Sequence, residues 1–319
     1  MPETGDWQPA TAHCFAMTEQ DLIEQRRHQW RLDGRAVRTL DDAREFIDSV
    51  GFCLMYPLSA QARVAMGSAG AQPMLVPTFI GAYAGDDRQL PTSQRAFADP
   101  RAKEATELMV RLLRERVAYE APFGDNTLLV AAAVFPYFYG LVGDRNPRQV
   151  PKPGMRSEYS PLARDVFELI RQNAKISKQK MMEALGGSIS AAALDRALNE
   201  LWSRLRIIRV DYQAGEGAFW DELFRWSPDV VRQGIEVSVP EALSALISKY
   251  LESMIAADQQ EIGDFFSHFV PRSKVNDAVN ALLAARELSF VTVGSRSQIQ
   301  LAPVSAVPSV RREPRRKRL

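Results

Sequence analysis

The side chains able to do chemistry lie scattered in this chain, and their spacing excludes more than it supports. His13, His28 and His268 stand alone, and Cys14 and Cys53 form neither a CxxC pair nor a Cys/His cluster of the kind that holds zinc. Asp86, Asp87 and Asp99 are loop acids without ligand spacing, so neither a metal nor a cofactor is expected. No nucleophile elbow, phosphate-binding glycine loop or dinucleotide fingerprint occurs. Two kinds of group remain. The run Phe135, Tyr137, Phe138, Tyr139 offers aromatic faces; Tyr137 and Tyr139 are candidates for stacking on an unpaired base, against the plainer reading of a core stripe. Donors and cations gather late in the chain: Arg272, Ser273, Lys274 and Asn276, then Arg296, then Arg315, Arg316, Lys317 and Arg318, with Arg196 more isolated. These types suit phosphate oxygens and base edges.

The elements that would position the late cluster belong to an internal repeat. At an offset of 81 residues, Leu162, Val166 and Ile170 fall on Leu243, Ile247 and Leu251, the inward stripe of a first helix. Ser177 falls on Asp258, each a good N-cap for a short second helix whose inward residues Met181 and Leu185 match Ile262 and Phe266. A third helix carries Leu194, Ala197, Leu198, Leu201, Trp202 and Leu205 in one copy, and Val275, Ala278, Val279, Leu282 and Leu283 in the other. β-rich runs broken by glycine-containing turns follow in both copies, which reads as hairpins. Three helices and a hairpin describe a winged helix-turn-helix, so the predicted fold class is mainly α with small β-hairpins in tandem winged-helix domains. In that motif the start of the third helix faces DNA. The second copy presents Arg272, Ser273, Lys274 and Asn276 there and Arg296 in its wing, whereas the first presents Ser190 and three alanines, with Asp195 and Glu200 offsetting Arg196. The first copy reads more as a packing module.

The N-terminal half predicts helices over 18–31 and 39–50, a buried extended segment at Phe52–Leu58, a loop with a short helix over 59–85, and an amphipathic helix over 96–117. The apolar run 128–139 follows. The expected division is an extension at 1–17, a helical, winged-helix-like domain at 18–150, a proline-rich linker at 151–160, winged helices at 161–235 and 236–304, and a basic tail at 305–319.

With 46% apolar residues among 319, the chain can bury a large core. The formal net charge is only +1, so no global field announces a polyanionic partner. The nine residues from Arg311 to Leu319 nevertheless carry +5, leaving −4 elsewhere, and such a tail suits non-specific phosphate contact or a solubilising end. No leader or membrane span is evident, and two cysteines suit a reducing compartment; a cytoplasmic location is expected.

The segment VGFCLMYPL, the later VFPYFYGLVGD and AGEGAFWDELFRWSP give the chain a resemblance to the AlkZ/YcaQ group of DNA glycosylases, in a diverged, AlkZ-related branch. The resemblance spans roughly Thr18 to Pro303. It implies three winged-helix units around a cleft that holds DNA, and a catalytic Q-x-Q or Q-x-D in the extended segment after a helix and a glycine. Here that placement puts Leu54 and Tyr56 at the two polar positions. Leucine cannot orient water and an ordinary tyrosine is a poor base at neutral pH, so the family's hydrolytic motif is absent and no catalytic residue is assigned. The first expectation is a DNA-binding relative, holding duplex or damaged DNA, that does not hydrolyse by that motif. A second is an active glycosylase for alkylated or crosslinked bases, with a rearranged site using an acid such as Glu120 or Asp144. A third is a winged-helix regulator or protein-interaction scaffold. The second requires a carboxylate or amide beside Tyr56 in the folded cleft.

Overall fold

The computed structural model describes residues 16–58, 76–124, 126–152, 154, 159–186, 189–213 and 215–303. Thr18 and Thr39 each close a capping box, starting α1 (Glu19–Gln29) and α2 (Leu40–Val50). Gly51, at φ 75°, turns the chain out of α2 into β2 (Phe52–Leu54). After α3 (Phe79–Ala84), Asp99 caps α4 (Pro100–Arg114), which leads into the hairpin β3 (Ala118–Phe123) and β4 (Asn126–Ala131). A short helix α5 (Phe135–Val142) ends this half.

The 81-residue offset is written into the backbone. In the second unit α6 (Pro161–Gln172), β5 (Ile176–Ser177), α7 (Lys178–Ala184) and α8 (Ala191–Ser203) precede β6 (Ile207–Gln213) and β7 (Gly217–Glu222). Short helices α9 (Leu223–Trp226) and α10 (Pro228–Glu236) lead to the third unit. This comprises α11 (Val239–Met254), α12 (Gln259–Phe266), α13 (Arg272–Ala284), β8 (Leu288–Val293) and β9 (Arg296–Leu301). Helices α8 and α13 begin and end 81 residues apart, as do the first residues of β6 and β8. Ser177 and Asp258 both serve as N-caps.

The half upstream repeats the same plan. Its sheet runs β2-β4-β3, and that of the second unit runs β5-β7-β6, so a short strand before the second helix pairs with the far strand of the hairpin in each. In the third unit a single antiparallel bridge, Ala257 to Ile299, takes that place. Each third helix unwinds through a left-handed residue two positions before its hairpin: Arg116 at φ 57°, Leu205 at 50° and Arg286 at 60°. The described residues therefore form three units of helices followed by a hairpin, the pattern of a winged helix.

Several expectations change. The helix expected over 96–117 is shorter, because residues 96–98 form a separate turn of 3-10 helix and Arg116 adopts positive φ. The apolar run 128–139 is a strand to Ala131 and a helix from Phe135, a division that short apolar runs do not reveal by periodicity. The hairpin β3–β4 and the helices α9 and α10 were not foreseen. Ala16 and Met17, expected in a free extension, form β1, parallel to β8. Helix α1, expected with the upstream domain, docks on the third unit: Arg26 donates to the carbonyls of Met254 at 2.9 Å and Ala256 at 2.5 Å, and Trp30 Nε1 to Ser253 O at 2.9 Å.

The first and third units share one aromatic core, where Phe52 and Phe123 stack on Phe265 at 5.4 and 5.2 Å between ring centres. The second unit has a core of its own around Phe167, Leu201, Trp202 and Trp220. Among the described residues no helix is long and apolar enough to cross a membrane.

Candidate functional site

Leu54 and Tyr56 face different surroundings. Leu54 is 1% exposed and lies opposite Leu128 in the β2–β4 ladder, inside the shared core. A leucine is what that place accepts, since an amide there would lose its water partners. Tyr56 lies past the strand end, where Asn126 Nδ2 donates to its carbonyl at 2.7 Å and its hydroxyl meets Thr106 Oγ1 at 3.1 Å. Burial holds its phenol above the ordinary value, against the lowering effect of Thr106, so it stays protonated at neutral pH.

Tyr56 stands between two hollows. The larger, about 630 Å³, runs along α4 to the β6 edge of the second unit, with an apolar floor that includes Ala102, Val110 and Tyr212. Lys103, Arg111 and Arg114 line it from the outward face of α4, and Phe97 stands at the turn before that helix. Lys103 and Arg111 are exposed and have no ion-pair partner among the described residues. Arg114 is bound to Asp211 at 2.7 Å, whose carboxylate is mostly buried. Glu107, on the same face, is the acid of this lining.

The smaller recess, about 220 Å³, contains Glu120, Asn126, Arg209 and Tyr212 beside Tyr56 and Thr106. It thus holds both a carboxylate and an amide, the groups the rearranged-site expectation requires. Glu120 comes from β3 and is 1% exposed. Arg209 and Tyr212 come from β6, so the recess is made by two units. Arg209 Nη1 donates to the Tyr212 hydroxyl at 2.5 Å, and that hydroxyl donates to the Glu120 carboxylate at 3.2 Å. The Arg209 guanidinium also lies 3.8 Å over the Trp202 ring and 3.6 Å from Glu120 Oε2. Burial raises the Glu120 pKa, with Arg209 and the Tyr212 hydrogen bond pulling the other way. Asp144, the other acid considered, is committed elsewhere: it pairs with buried Arg206 at 3.1 Å and accepts from Tyr159 at 3.0 Å.

The remaining sequence candidates are dispersed. Tyr139 is fully buried and its hydroxyl donates to Asp144 O at 2.6 Å, which corrects its reading as a stacking face; Tyr137 is half-buried against the core. In the third unit Ser273, Lys274 and Arg296 are exposed, and Asn276 Oδ1 accepts from Gln259 at 3.5 Å. Arg272 is held by Asp264 at 2.6 Å and lies against Gly263, so its charge is partly compensated. Arg196 is exposed on α8, where Asp195 is drawn to Lys178 and Glu200 accepts the Ser160 amide. Arg315, Arg316, Lys317 and Arg318 lie outside the described residues. Among the described residues no group of three His, Cys, Asp or Glu side chains could hold a metal.

The cleft on α4 lies outside the two copies in which the 81-residue repeat is clear, so the repeat does not point to it. Its signal was present in the Lys103, Glu107, Arg111 spacing, which puts three charges on one helix face. Arg209 and Tyr212 carried no comparable signal, since nothing in sequence places the second hairpin against β3.

The comparisons agree with this architecture. A family model described as DNA glycosylase AlkZ-like matches residues 90–319, a span that begins after the Gly51–Tyr56 segment. The solved structure of Streptomyces sahachiroi DNA glycosylase AlkZ superposes with a TM-score of 0.56 at 12% identity, covering 90% of this chain and 70% of that one, a likeness of fold. No curated protein matches. The chain belongs to the AlkZ-like family of DNA glycosylases.

Proposed function

We propose that this protein binds DNA along the cleft between α4 and β6, and that it does so without hydrolysis by the family's motif. The observation that carries the reading is the pairing of Lys103 and Arg111, two exposed cations that make no ion pair among the described residues, with an apolar and aromatic floor at Tyr56 and Tyr212. Cations neutralise phosphates and the floor accepts a base face. Lys274 and Arg296 extend the phosphate contact in the third unit, and the basic tail adds non-specific affinity. Supporting the absence of the family's chemistry, Leu54 is sealed in the core and Tyr56 keeps its proton.

The test is twofold. Labelled duplex should bind at low salt, and incubation with alkylated or crosslinked DNA should yield no abasic sites. Failure to bind refutes the reading; abasic sites that vanish in a Glu120→Gln variant favour the second reading.

That second reading is an active glycosylase with Glu120 as its carboxylate, and it has one observation in its favour. Glu120 and Asn126 share the recess with Tyr56. Against it stands the burial of Glu120, 1% exposed and engaged by Tyr212 and Arg209.

A further inference from the structure

Phe97 is 92% exposed, well beyond the other exposed large apolar side chains among the described residues, Phe290 at 63% and Ile23 at 49%. Leaving an aromatic ring in water forgoes the gain of burial, and what sets this ring apart is its place in the lining of the α4 cleft, beside Lys103 and Arg111. The ring is also held there by backbone bonding. Residues 96–98 form a turn of 3-10 helix, tied by Arg95 N to Thr92 O at 2.9 Å and Asp99 N to Ala96 O at 3.1 Å. Asp99 then caps α4 through the Arg101 amide at 2.8 Å, and Arg101 Nη2 reaches back to Gln89 O at 2.9 Å. Phe97 therefore projects from a fixed corner at the mouth of the cleft, with Lys103 and Arg111 one and three turns further along the helix.

We propose that Phe97 is a wedge that enters the base stack of bound DNA, while the cleft behind it receives the base that the wedge displaces. Insertion of an apolar side chain between base steps unstacks and kinks a duplex, and the cost is lowest at a mismatch or a damaged pair. The cleft has the size of a small-molecule pocket and an aromatic floor to take the displaced base, with cations at its rim for the flanking phosphates. The proposal rests on the DNA-binding reading above and assigns the distortion step to one residue. Because distortion is cheapest where pairing is already weak, mismatched duplex is the preferred substrate over fully paired duplex.

The experiment uses the full chain and a synthetic duplex carrying one 2-aminopurine, either paired with thymine or mismatched. Unstacking raises the fluorescence of this base. The native protein should raise it several-fold, more for the mismatch. Phe97→Ala should abolish the rise and weaken binding about tenfold, the usual effect of removing one stacked aromatic. Phe97→Trp should restore both. Since the ring is exposed, Phe97→Ala should melt at the native temperature, which separates this effect from misfolding. A full fluorescence rise with Phe97→Ala, or binding without any rise in the native protein, overturns the wedge alone. No binding of either duplex overturns the wedge and the DNA-binding reading together.

Discussion

Removing Lys103 and Arg111, the cleft cations that make no ion pair among the described residues, should change how DNA affinity depends on salt, by an amount set by their number. Lys103 and Arg111 lie eight residues apart on α4, about 12 Å along the axis, so they reach separate phosphates. Neither makes an ion pair among the described residues, and with Glu107 on the face between them the two full charges set the largest change in slope. Each phosphate neutralised contributes about 0.9 to the slope of log affinity against log salt, so the Lys103→Ala/Arg111→Ala variant should have a slope shallower by about 1.8. Between about 50 and about 200 mM salt, native affinity should then fall about 12-fold further than that of the variant. Anisotropy of a labelled duplex titrated at several salt concentrations measures this. Arg114→Ala is the internal comparison. Because Asp211 already compensates Arg114, its loss should alter the slope less, yet destabilise the fold by leaving a mostly buried carboxylate unpaired. Parallel slopes for the native protein and the double variant would show that DNA does not lie on this face of α4.

Three further outcomes follow from the packing and the buried acid. Leu54→Gln should cost about 1–3 kcal/mol for the buried amide plus lost packing, and should create no abasic sites; activity in a stable variant would show that the position is not sealed. Gly234→Ala should cost about 1–3 kcal/mol, because a Cβ there meets Tyr139 Cβ at 2.6 Å and Pro136 O at 2.8 Å between α10 and α5, whereas Gly154→Ala, with open space around it, should leave the melting temperature unchanged. Glu120 has a pKa raised above its unfolded value by burial, so its contribution is fully present below the unfolded carboxylate pKa and is lost as pH rises through the folded one. Glu120→Gln should remove that loss, changing the pH slope of urea stability by at most about 1.4 kcal/mol per pH unit in that window; equal slopes would count against the raised pKa.

Much of the fold was legible because it is local. Capping residues, helix stripes and the 81-residue offset depend on neighbours within a few turns, so Ser177, Asp258 and the spans of α8 and α13 could be read directly. The third helix of the upstream unit was visible as an amphipathic segment, but its hairpin was not. The strand Ala118–Phe123 is buried at almost every position, so it lacks the alternation that marks a half-exposed strand. The acid Glu120 could be named from sequence only alongside Asp144, with nothing to choose between them. Its partners Arg209 and Tyr212 lie some 90 positions later and meet it only when two units pack.

The sequence by itself determined the local structure of two winged-helix repeats and the helices upstream of them, the residues Leu54 and Tyr56 that follow Gly51, and the cationic start of the last third helix. It did so because caps, periodicity and residue type act over short distances. Tertiary structure alone decided which surfaces those modules would share. It buried Tyr139 in the core, committed Arg272 to Asp264, and drew α1 onto the third unit. It also set Lys103 and Arg111 beside the hairpin of another unit to form the cleft. Burial and pairing depend on partners far away in sequence, and they determine which charges and rings remain available to a ligand.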